Sequence, residues 1–299
     1  MKQNLTVEQA DVRIDRYISE HLPEHSRSYI QKLIEQGCVL QNGETVRAST
    51  KTLLQAEISI EFPEPEPSIL IPEAIPLDIR YEDEWLLVVN KPQGMVVHPA
   101  VGHHAGTLVH ALLAYCGNDL SDINGVVRPG IVHRIDKDTS GLLLVVKDNR
   151  VHASMAEKIR RHEVTRVYYT IVHGIMEAAS GSIDAPIGRD PKNRQRMAVV
   201  PGGKPSVTHF KLLEQFRQAA YLEAALESGR THQIRVHLRY IGHPVVGDPV
   251  YATGRKTYGA TGQALHAGRL SFSHPVTGKQ VTVEAPPPET FCQLLEQFR

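Results

Sequence analysis

The stretch GIVHRIDKDTSGLLLVVKD, residues 130–148, places an acidic residue between basic residues and a nearly all-apolar strand. A Ser-Gly pair separates Asp136 from the apolar run 142–146, so the strand begins within a few residues of the carboxylate. We therefore expect Asp136 at the mouth of a sheet rather than on a solvated helix face. A carboxylate in that position needs a cationic partner.

Candidate basic partners lie further along the chain, in SGRTHQIRVHLRYIGHPVVGDPVY, residues 228–251. Three arginines lie close together there, and no acid follows them until Asp248: they are Arg230, Arg235 and Arg239. One guanidinium could hold Asp136 in its charged form while the others contact phosphate. From spacing alone, an internal ion pair beside a structural helix explains these residues equally well.

Short runs rich in apolar and β-branched residues predict strands. They are residues 85–91, 142–147, 164–172, 207–213 and 221–228. Apolar residues at helical spacing predict helices at residues 151–161, 231–241 and 289–298. Strands and helices do not alternate strictly, which argues against a doubly wound parallel sheet. We predict an α+β fold with a mixed, mainly antiparallel sheet.

The amino-terminal residues show a helix, helix, hairpin pattern of their own. Apolar residues spaced four apart predict a helix over residues 13–21: they are Ile14, Ile18 and Leu22. Ser26 is a good N-cap for a second helix that stops at Gly37. The pair Asn42-Gly43 then predicts a tight hairpin.

An acidic, proline-rich run, FPEPEPSILIPEAIP at residues 62–76, has neither helical nor strand periodicity. Its prolines favour an extended path, which is typical of a linker. We therefore predict three segments: a small amino-terminal domain over residues 1–62, a linker over 63–78 and a large domain over 79–299.

Length and composition narrow the class of protein. With 299 residues, 41% of them hydrophobic, the chain is long enough for two globular domains and is neither disordered nor collagen-like. No apolar run approaches the roughly 20 residues that span a bilayer, and the start lacks the pattern of a secretory signal. We expect no membrane association and a cytoplasmic location. The cysteines at 38, 116 and 292 form no CxxC pair, which argues against a zinc ribbon or a disulfide framework.

The net charge is zero, but the charges are unevenly distributed. Residues 85–299 carry 25 basic and 17 acidic residues, so the large domain is basic. Clustered lysines and arginines on such a body could bind phosphates, which makes nucleic acid a candidate partner. A solvated basic face explains the same composition.

Motifs for several other chemistries are missing. The sixteen histidines include no HExxH and no paired His/carboxylate spacing, so we expect no metal. PGGKPS at residues 201–206 lacks the first glycine of a phosphate loop. HRID at residues 133–136 has one residue too many for a kinase HRD motif, and no GxGxxG accompanies it. We expect neither phosphoryl transfer nor a small-molecule cofactor.

The helix, helix, hairpin order resembles the S4 RNA-binding domain over residues 13–62. Four basic residues at polar positions of this unit are expected to contact RNA: Arg13, Arg16, Arg27 and Lys32. A small protein-docking domain with ordinary surface arginines fits the same pattern.

HRIDKDTSGL, around Asp136, resembles the signature of the RluA family of ribosomal RNA pseudouridine synthases. Three further stretches are similar to the other motifs of that family, in the same order: VVNKPQGMVVHP at 88–99, RVYYTIVHG at 166–174 and GRTHQIRVHLRYIGHPVVGDPVY at 229–251. The resemblance spans residues 80–299 and, with the S4 domain, covers nearly the whole chain.

The resemblance implies a cofactor-free isomerisation of uridine to pseudouridine in large-subunit ribosomal RNA or a pre-ribosomal particle. It makes three residues catalytic: Asp136 as the carboxylate, Tyr168 as an aromatic residue that stacks on the base and could move a proton, and Arg235 as the residue that orients Asp136. A strand tyrosine packed in the core explains Tyr168 as well. Whether the carboxylate attacks a carbon or assists a glycal route is left open.

Further residues are assigned to the RNA. A base that is paired or stacked must be flipped out to reach a buried aspartate, and the resemblance positions Arg134 to fill the gap. Ile234 is expected to line the base pocket, and His133 and Arg230 to contact the substrate. Three basic residues of the loop RDPKNRQR are expected to contact the RNA backbone, although a solvated loop explains them as well: Lys192, Arg194 and Arg196.

Two other functions remain open. One is a pseudouridine synthase for transfer RNA. The other is a non-catalytic ribosome-assembly factor that binds RNA through the S4 domain and a degenerate body. Intact residues at the positions of Asp136, Tyr168 and Arg235 argue against the second.

Overall fold

The chain divides into two units, residues 1–68 and 69–299, and no described hydrophobic core is shared between them. The computed structural model describes residues 2–22, 25, 27–62, 70–100, 102–117, 119–121, 129–193 and 196–299, without the side chain of Ser28.

Two helices and four short strands form the amino-terminal unit. In chain order they are β1 (Lys2–Thr6), α1 (Ile14–His21), α2 (Arg27–Glu35), β2 (Val39–Gln41), β3 (Glu44–Thr45) and β4 (Glu57–Glu61). The strands pair antiparallel in the order β1-β4-β2-β3. Asn42 and Gly43 turn the β2–β3 hairpin with φ of 52° and 82°, as a two-residue turn of this kind requires. The predicted helix, helix, hairpin order is confirmed; the predicted N-cap, Ser26, lies outside the described residues.

The core of this unit comes from apolar residues at helical and strand spacing. Ile14 and Ile18 of α1 join Ile30 of α2 and Ile58 and Ile60 of β4, and all five are fully buried. Along β4, burial alternates from residue to residue, because one face of the strand lies against the helices.

The larger unit is built on a sheet with four helices. Its strands are β5 (Ile79–Glu82), β6 (Leu86–Lys91), β7 (Ser140–Val146), β8 (Thr165–His173), β9 (Ser180–Asp184), β10 (Ile187–Arg189), β11 (Met197–Val199), β12 (Val207–Gln215), β13 (Ala219–Leu226), β14 (Leu265–Ser273) and β15 (Gln280–Glu284). Its helices are α3 (Leu108–Cys116), α4 (Asn149–Arg160), α5 (Gln233–Tyr240) and α6 (Glu289–Glu296).

The main sheet has the strand order β5-β6-β7-β14-β8-β13-β12-β9, with β15 paired to β14. Only β7 and β14 pair in parallel among these described strands, and β10 and β11 form a separate antiparallel pair. The prediction of an α+β fold with a mixed, mainly antiparallel sheet is confirmed.

Helices cover both faces of the sheet centre. Leu87 and Leu143 pack in one core with residues of α3, α5 and α6. Leu86 and Leu142 pack in a second core on the opposite face, together with Met155 of α4. Strands β6 and β7 are buried on both faces, which explains why their sequences are apolar runs rather than alternating patterns.

The predicted strands appear as β6, β7, β8, β12 and β13, and the predicted helices as α4, α5 and α6. Sequence reasoning did not find α3 or β14. Helix α3, LVHALLAYC, is apolar almost all round because it is buried, so it has no amphipathic period. Strand β14 lies between β7 and β8 at the centre of the sheet, although its sequence contains polar residues and a glycine.

Residues 70–78, the second half of the predicted linker, lie in the larger unit. Leu70 and Leu77 pack against its core. The Glu73 carboxylate accepts a hydrogen bond from the Gly106 N–H at 2.9 Å. Residues 63–69 lie outside the described residues.

Candidate active site

The loop that carries Asp136 leads directly into β7. Gly141 in that strand has a φ of 114°, and a Cβ atom there would overlap the backbone of Ala267 in β14. The glycine therefore permits the close approach of the two parallel strands just after the loop. The sequence prediction of an aspartate at the mouth of a sheet is consistent with this geometry.

Lys91, at the end of β6, ties the same loop to the preceding motif. Its side chain is fully buried. Its Nζ donates hydrogen bonds to three carbonyl oxygens: Pro92 at 2.7 Å, Met95 at 2.8 Å and Lys137 at 3.0 Å. Burial lowers the pKa of Lys91 to about 7, although the negative charges of Asp138 and Asp136 act in the opposite direction. Because Lys137 follows Asp136 directly, this contact fixes the backbone beside the carboxylate.

Arg235 of α5 joins two carboxylates. Its Nη1 donates to Oδ2 of Asp136 at 2.8 Å. Its Nε and Nη2 donate to Oδ2 and Oδ1 of Asp248 at 2.7 and 2.9 Å. The Arg235 side chain is 4% exposed and that of Asp248 is fully buried, whereas that of Asp136 is 18% exposed. Asp248 thus anchors the guanidinium from inside and Asp136 presents the accessible end of the cluster.

The electrostatics of this cluster favour the charged forms of Asp248 and Arg235. Burial raises the pKa of Asp248, but the hydrogen bonds and charge of Arg235 and two backbone N–H donors, Val250 and Tyr251, lower it below its ordinary value overall. Burial likewise lowers the pKa of Arg235, but its bonds to Asp248 and the charges of both carboxylates raise it overall. Such bidentate pairs fix orientation as well as charge.

His232 and Tyr251 complete the surroundings of Arg235. His232 precedes α5 in the left-handed region, with φ 59°. Its Nε2 lies 3.9 Å from Oδ1 of Asp136, and its Nδ1 lies 2.8 Å from the Tyr251 hydroxyl. Burial lowers the pKa of His232, although the charge of Asp136 opposes the shift. The Arg235 guanidinium lies 5.0 Å from the centre of the Tyr251 ring, a cation–π contact.

Tyr168 of β8 and Ile234 of α5 line the same cleft as Asp136. Both are nearly buried, with 6% and 4% of their surface exposed. Burial raises the pKa of Tyr168, and the negative charge of Asp136 acts in the same direction. An aromatic ring, an aliphatic side chain and an ion-paired carboxylate therefore meet in one small space.

The cleft has a cationic rim. Arg134 and Arg230 line it and are exposed, and Arg166 of β8 lines it and is buried. Among the described residues that line this cleft, Asp136 is the sole acid. The arrangement suits a polyanionic ligand that brings a neutral planar group next to a carboxylate.

Comparison with known families identifies the catalytic unit. The family model for RNA pseudouridylate synthase matches residues 85–240, a segment that contains Asp136, Tyr168 and Arg235. The chain belongs to this family. It is an RNA pseudouridine synthase, and a match to the S4 domain at residues 12–57 identifies its amino-terminal unit as an S4 RNA-binding domain.

The synthase is similar to curated proteins over nearly its whole length. It is 51% identical to the "Uncharacterized RNA pseudouridine synthase YlyB" of Bacillus subtilis, with 98% of this chain and 96% of that protein covered. It is 45% identical to the "Ribosomal large subunit pseudouridine synthase D" of Zymomonas mobilis, with the same coverage of both chains. Among solved structures, the human RNA pseudouridylate synthase domain containing 1 matches with a TM-score of 0.60 and 26% identity over 72% of this chain and 85% of that one.

In the S4 domain, three of the four basic residues that we assigned to RNA are ion-paired. Arg13 and Arg27 both bond to the buried carboxylate of Asp15, at 3.1 and 2.9 Å, and Arg16 bonds to Glu20 at 2.8 Å. The Asp15 pKa lies well below its ordinary value, because these arginines and Gln31 outweigh the opposing effect of burial. Lys32 is exposed. The Arg13–Asp15–Arg27 cluster keeps a net positive charge, so RNA contact by these residues stays a prediction.

The remaining residues that were predicted to contact the substrate or the RNA lie in different surroundings: His133, Lys192, Arg194 and Arg196. The His133 ring accepts a hydrogen bond from the Leu144 N–H at 2.9 Å, and its buried Nδ1 has no partner among the described residues. This structural contact does not support a direct contact of His133 with substrate. Lys192 is exposed, and Arg196 lies beside Arg239 at a second depression between β11 and α5. Arg194 lies outside the described residues.

Sequence reasoning missed the contributions of Asp248 and His232. A signal was present for Asp248, which is the single acid in the basic stretch 228–251. His232 gives no such signal, because its place depends on the left-handed backbone before α5.

None of the described helices of the synthase is long and apolar enough to cross a membrane. The described His, Cys, Asp and Glu residues do not form a group of three or more that could hold a metal ion.

Proposed function

We propose that this synthase converts specific uridines of large-subunit ribosomal RNA, free or in an assembling particle, to pseudouridine, with Asp136 as the reacting carboxylate. The observation that carries the chemistry is the pair formed by Asp136 and the buried Arg235, 2.8 Å apart in a cleft that Tyr168 also lines. The choice of RNA is supported by relatives at 43–45% identity named "Ribosomal large subunit pseudouridine synthase D". A cytoplasmic location, where ribosomal RNA is made and assembled in bacteria, is part of the proposal.

The reaction exchanges one bond of the nucleoside for another. The bond from N1 to C1′ breaks, the uracil turns while it stays bound, and C5 joins C1′. The proton on C5 is lost to solvent and N1 gains one, so the mass is unchanged. Asp136 can take part because Arg235 occupies only Oδ2. Among the described ion pairs, the other oxygen, Oδ1, has only the His232 Nε2 as a neighbour. That nitrogen lies 3.9 Å away, which is beyond hydrogen-bond distance.

Arg235 and Asp248 set the direction of the carboxylate. The guanidinium is bound to Asp248 through two atoms, so it cannot rotate without breaking a buried ion pair. Its third donor then holds Asp136 at a fixed angle to the cleft. Preorganised charge of this kind needs no rearrangement when the substrate reacts.

Tyr168 and Ile234 form the apolar wall for the detached base. The ring of Tyr168 offers a stacking surface to uracil, and its raised pKa keeps the hydroxyl protonated, so that it can donate a hydrogen bond. Ile234 precedes Arg235 directly, so the residue that limits the pocket and the residue that orients the aspartate belong to one turn of α5.

Arg134 is suited to replace the flipped base. It is exposed at the edge of the cleft and lies two residues before Asp136. Extrusion of a base costs a few kcal/mol, and a side chain that fills the vacated stack offsets part of that cost. The S4 domain adds affinity for structured RNA through Lys32 and the positive Arg13–Asp15–Arg27 cluster.

Mapping of pseudouridines in ribosomal and transfer RNA, from cells with and without the gene, tests the proposal. We expect specific pseudouridines in large-subunit ribosomal RNA to disappear with the gene and to return when the wild-type gene is restored. Loss of sites in transfer RNA alone would identify the other synthase class, and no loss in either RNA would favour an assembly factor.

A further inference from the structure

Arg166 is a buried cation in the wall of the reaction cleft. It lies on β8 two residues before Tyr168, so the two side chains leave the same face of the strand. Its residue surface is 6% exposed, and the part that remains accessible borders the cleft.

Among the described residues, no acidic side chain forms an ion pair with Arg166: no carboxylate lies within 4.0 Å of its guanidinium, and its buried Nε has no hydrogen-bond partner. By contrast, Arg235 on the facing helix has two carboxylates. A buried cation without a partner is costly, and such groups are ordinarily paired.

Gly229 permits a close approach of the end of the Arg166 side chain. A Cβ atom at Gly229 would lie 2.7 Å from Nη1 of Arg166, closer than such contacts occur. Both residues line the cleft that contains Asp136. The glycine therefore allows the guanidinium to occupy its place in the cleft wall, where a side chain at position 229 would displace it.

We propose that Arg166, held in the cleft wall beside Gly229, binds a phosphate of the RNA strand directly next to the flipped uridine. The inference rests on the proposed role of the Asp136 cleft as the place where the uridine reacts. A phosphate is favoured over a uracil carbonyl because a monoanion compensates the unpaired charge, which a neutral carbonyl does not. With the phosphate held, the ribose that joins it to the base is fixed relative to Asp136.

The experiment combines variants of Arg166 with neutral linkages in the RNA. A synthetic RNA that contains a mapped uridine is made with a phosphodiester or a methylphosphonate on either side of that uridine. We expect Arg166→Met to lower kcat/KM about 10- to 100-fold on the normal RNA. A methylphosphonate on one side of the uridine should lower kcat/KM of the wild type by a similar factor. The same methylphosphonate should not lower kcat/KM of Arg166→Met any further. Arg166→Lys, which keeps the charge, should retain sensitivity to that methylphosphonate.

Controls separate this role from folding and from general charge loss. Arg269→Met removes an arginine of the adjacent strand β14 that has Glu223 and Glu284 within 3.9 Å, and its response to the methylphosphonate should equal that of the wild type. Thermal unfolding reports whether Arg166→Met remains folded; if it does not, Arg166→Lys and the wild-type methylphosphonate series decide. Either of two results would overturn the inference and leave the proposed site standing. One is a wild type whose kcat/KM is unchanged by a methylphosphonate on either side, and the other is an effect of the methylphosphonate on Arg166→Met as large as its effect on the wild type. Turnover by Asp136→Asn would overturn the proposed site and this inference together.

Discussion

Replacing Asp248 with asparagine tests whether a buried carboxylate behind Arg235, which does not itself line the cleft, sets the geometry of the active site. In the wild type, Oδ2 accepts from the Arg235 Nε, and Oδ1 accepts from the Arg235 Nη2 and the N–H groups of Val250 and Tyr251. Asparagine keeps the volume but replaces one oxygen with an NH₂ group. Either the guanidinium or the two backbone donors then face another donor.

The size of the effect follows from burial. Both members of the pair are almost inaccessible, with side-chain exposures of 4% for Arg235 and 0% for Asp248. Removing one partner of a buried pair costs about 3–5 kcal/mol, which corresponds to a fall in Tm of about 6–20 °C for a unit of this size. The guanidinium would then be held by Asp136 alone, and a misplacement of about 1 Å lowers kcat about 100-fold.

Thermal unfolding measures the loss of stability, and single-turnover kinetics on saturating RNA measure the loss of kcat. Glu214→Gln is the matched control, because its ion pair with Arg299 at 2.9 Å is half exposed and such pairs contribute about 0–1 kcal/mol. A Tm of Asp248→Asn within about 2 °C of the wild type, together with unchanged kcat, would show that Asp248 does not anchor Arg235.

Three further outcomes are expected. Deletion of residues 1–62 should weaken RNA binding and reduce its salt dependence while leaving kcat on saturating RNA nearly unchanged; equal affinity and salt slope in a filter-binding titration would contradict RNA binding by the S4 domain. Burial lowers the pKa of His133 from 6.5 to about 3, so between these values the unfolded chain binds a proton that the folded chain excludes. Urea unfolding should therefore show stability that falls by about 1.4 kcal/mol per pH unit below pH 6.5 through this residue, a slope that His133→Gln should lack. Gly141→Ala should destabilise the protein by about 3 kcal/mol, because its Cβ overlaps the backbone of Ala267. Gly202→Ala, also at a positive φ (74° against 114°) but in open space, should cost about 1 kcal/mol; equal losses would refute the close-approach argument.

The strands that could be predicted from the sequence are those with a distinctive local pattern of apolar residues. Strand β14, whose place depends on pairing with strands distant in sequence, was missed. Buried runs such as β6 and β7 stand out because both of their faces are apolar. Strand β14 contains Arg269 and three serine or glycine residues, and its central position comes from pairing with β7 and β8. Helix α3 was missed for the opposite reason, because burial on all sides removes the amphipathic period.

The candidate site shows the same division. Asp136, Tyr168 and Arg235 could be named from motifs, and they line one cleft. The sequence does not reveal that Asp248 holds Arg235, or that Asp15 binds Arg13 and Arg27. Ion pairs between distant residues depend on the tertiary structure, so a row of basic residues alone overstates the charge that is free to bind RNA.

The release of tritium from RNA labelled at uridine C5 tests the central claim most directly. Because C5 replaces N1 at C1′ and must lose its hydrogen, the wild type should release label in step with pseudouridine formation. Asp136→Asn should release none while it binds RNA within a few fold of the wild type and keeps its Tm, since Arg235 remains paired with Asp248. Release by Asp136→Asn at the wild-type rate would contradict the assignment of Asp136 as the reacting carboxylate.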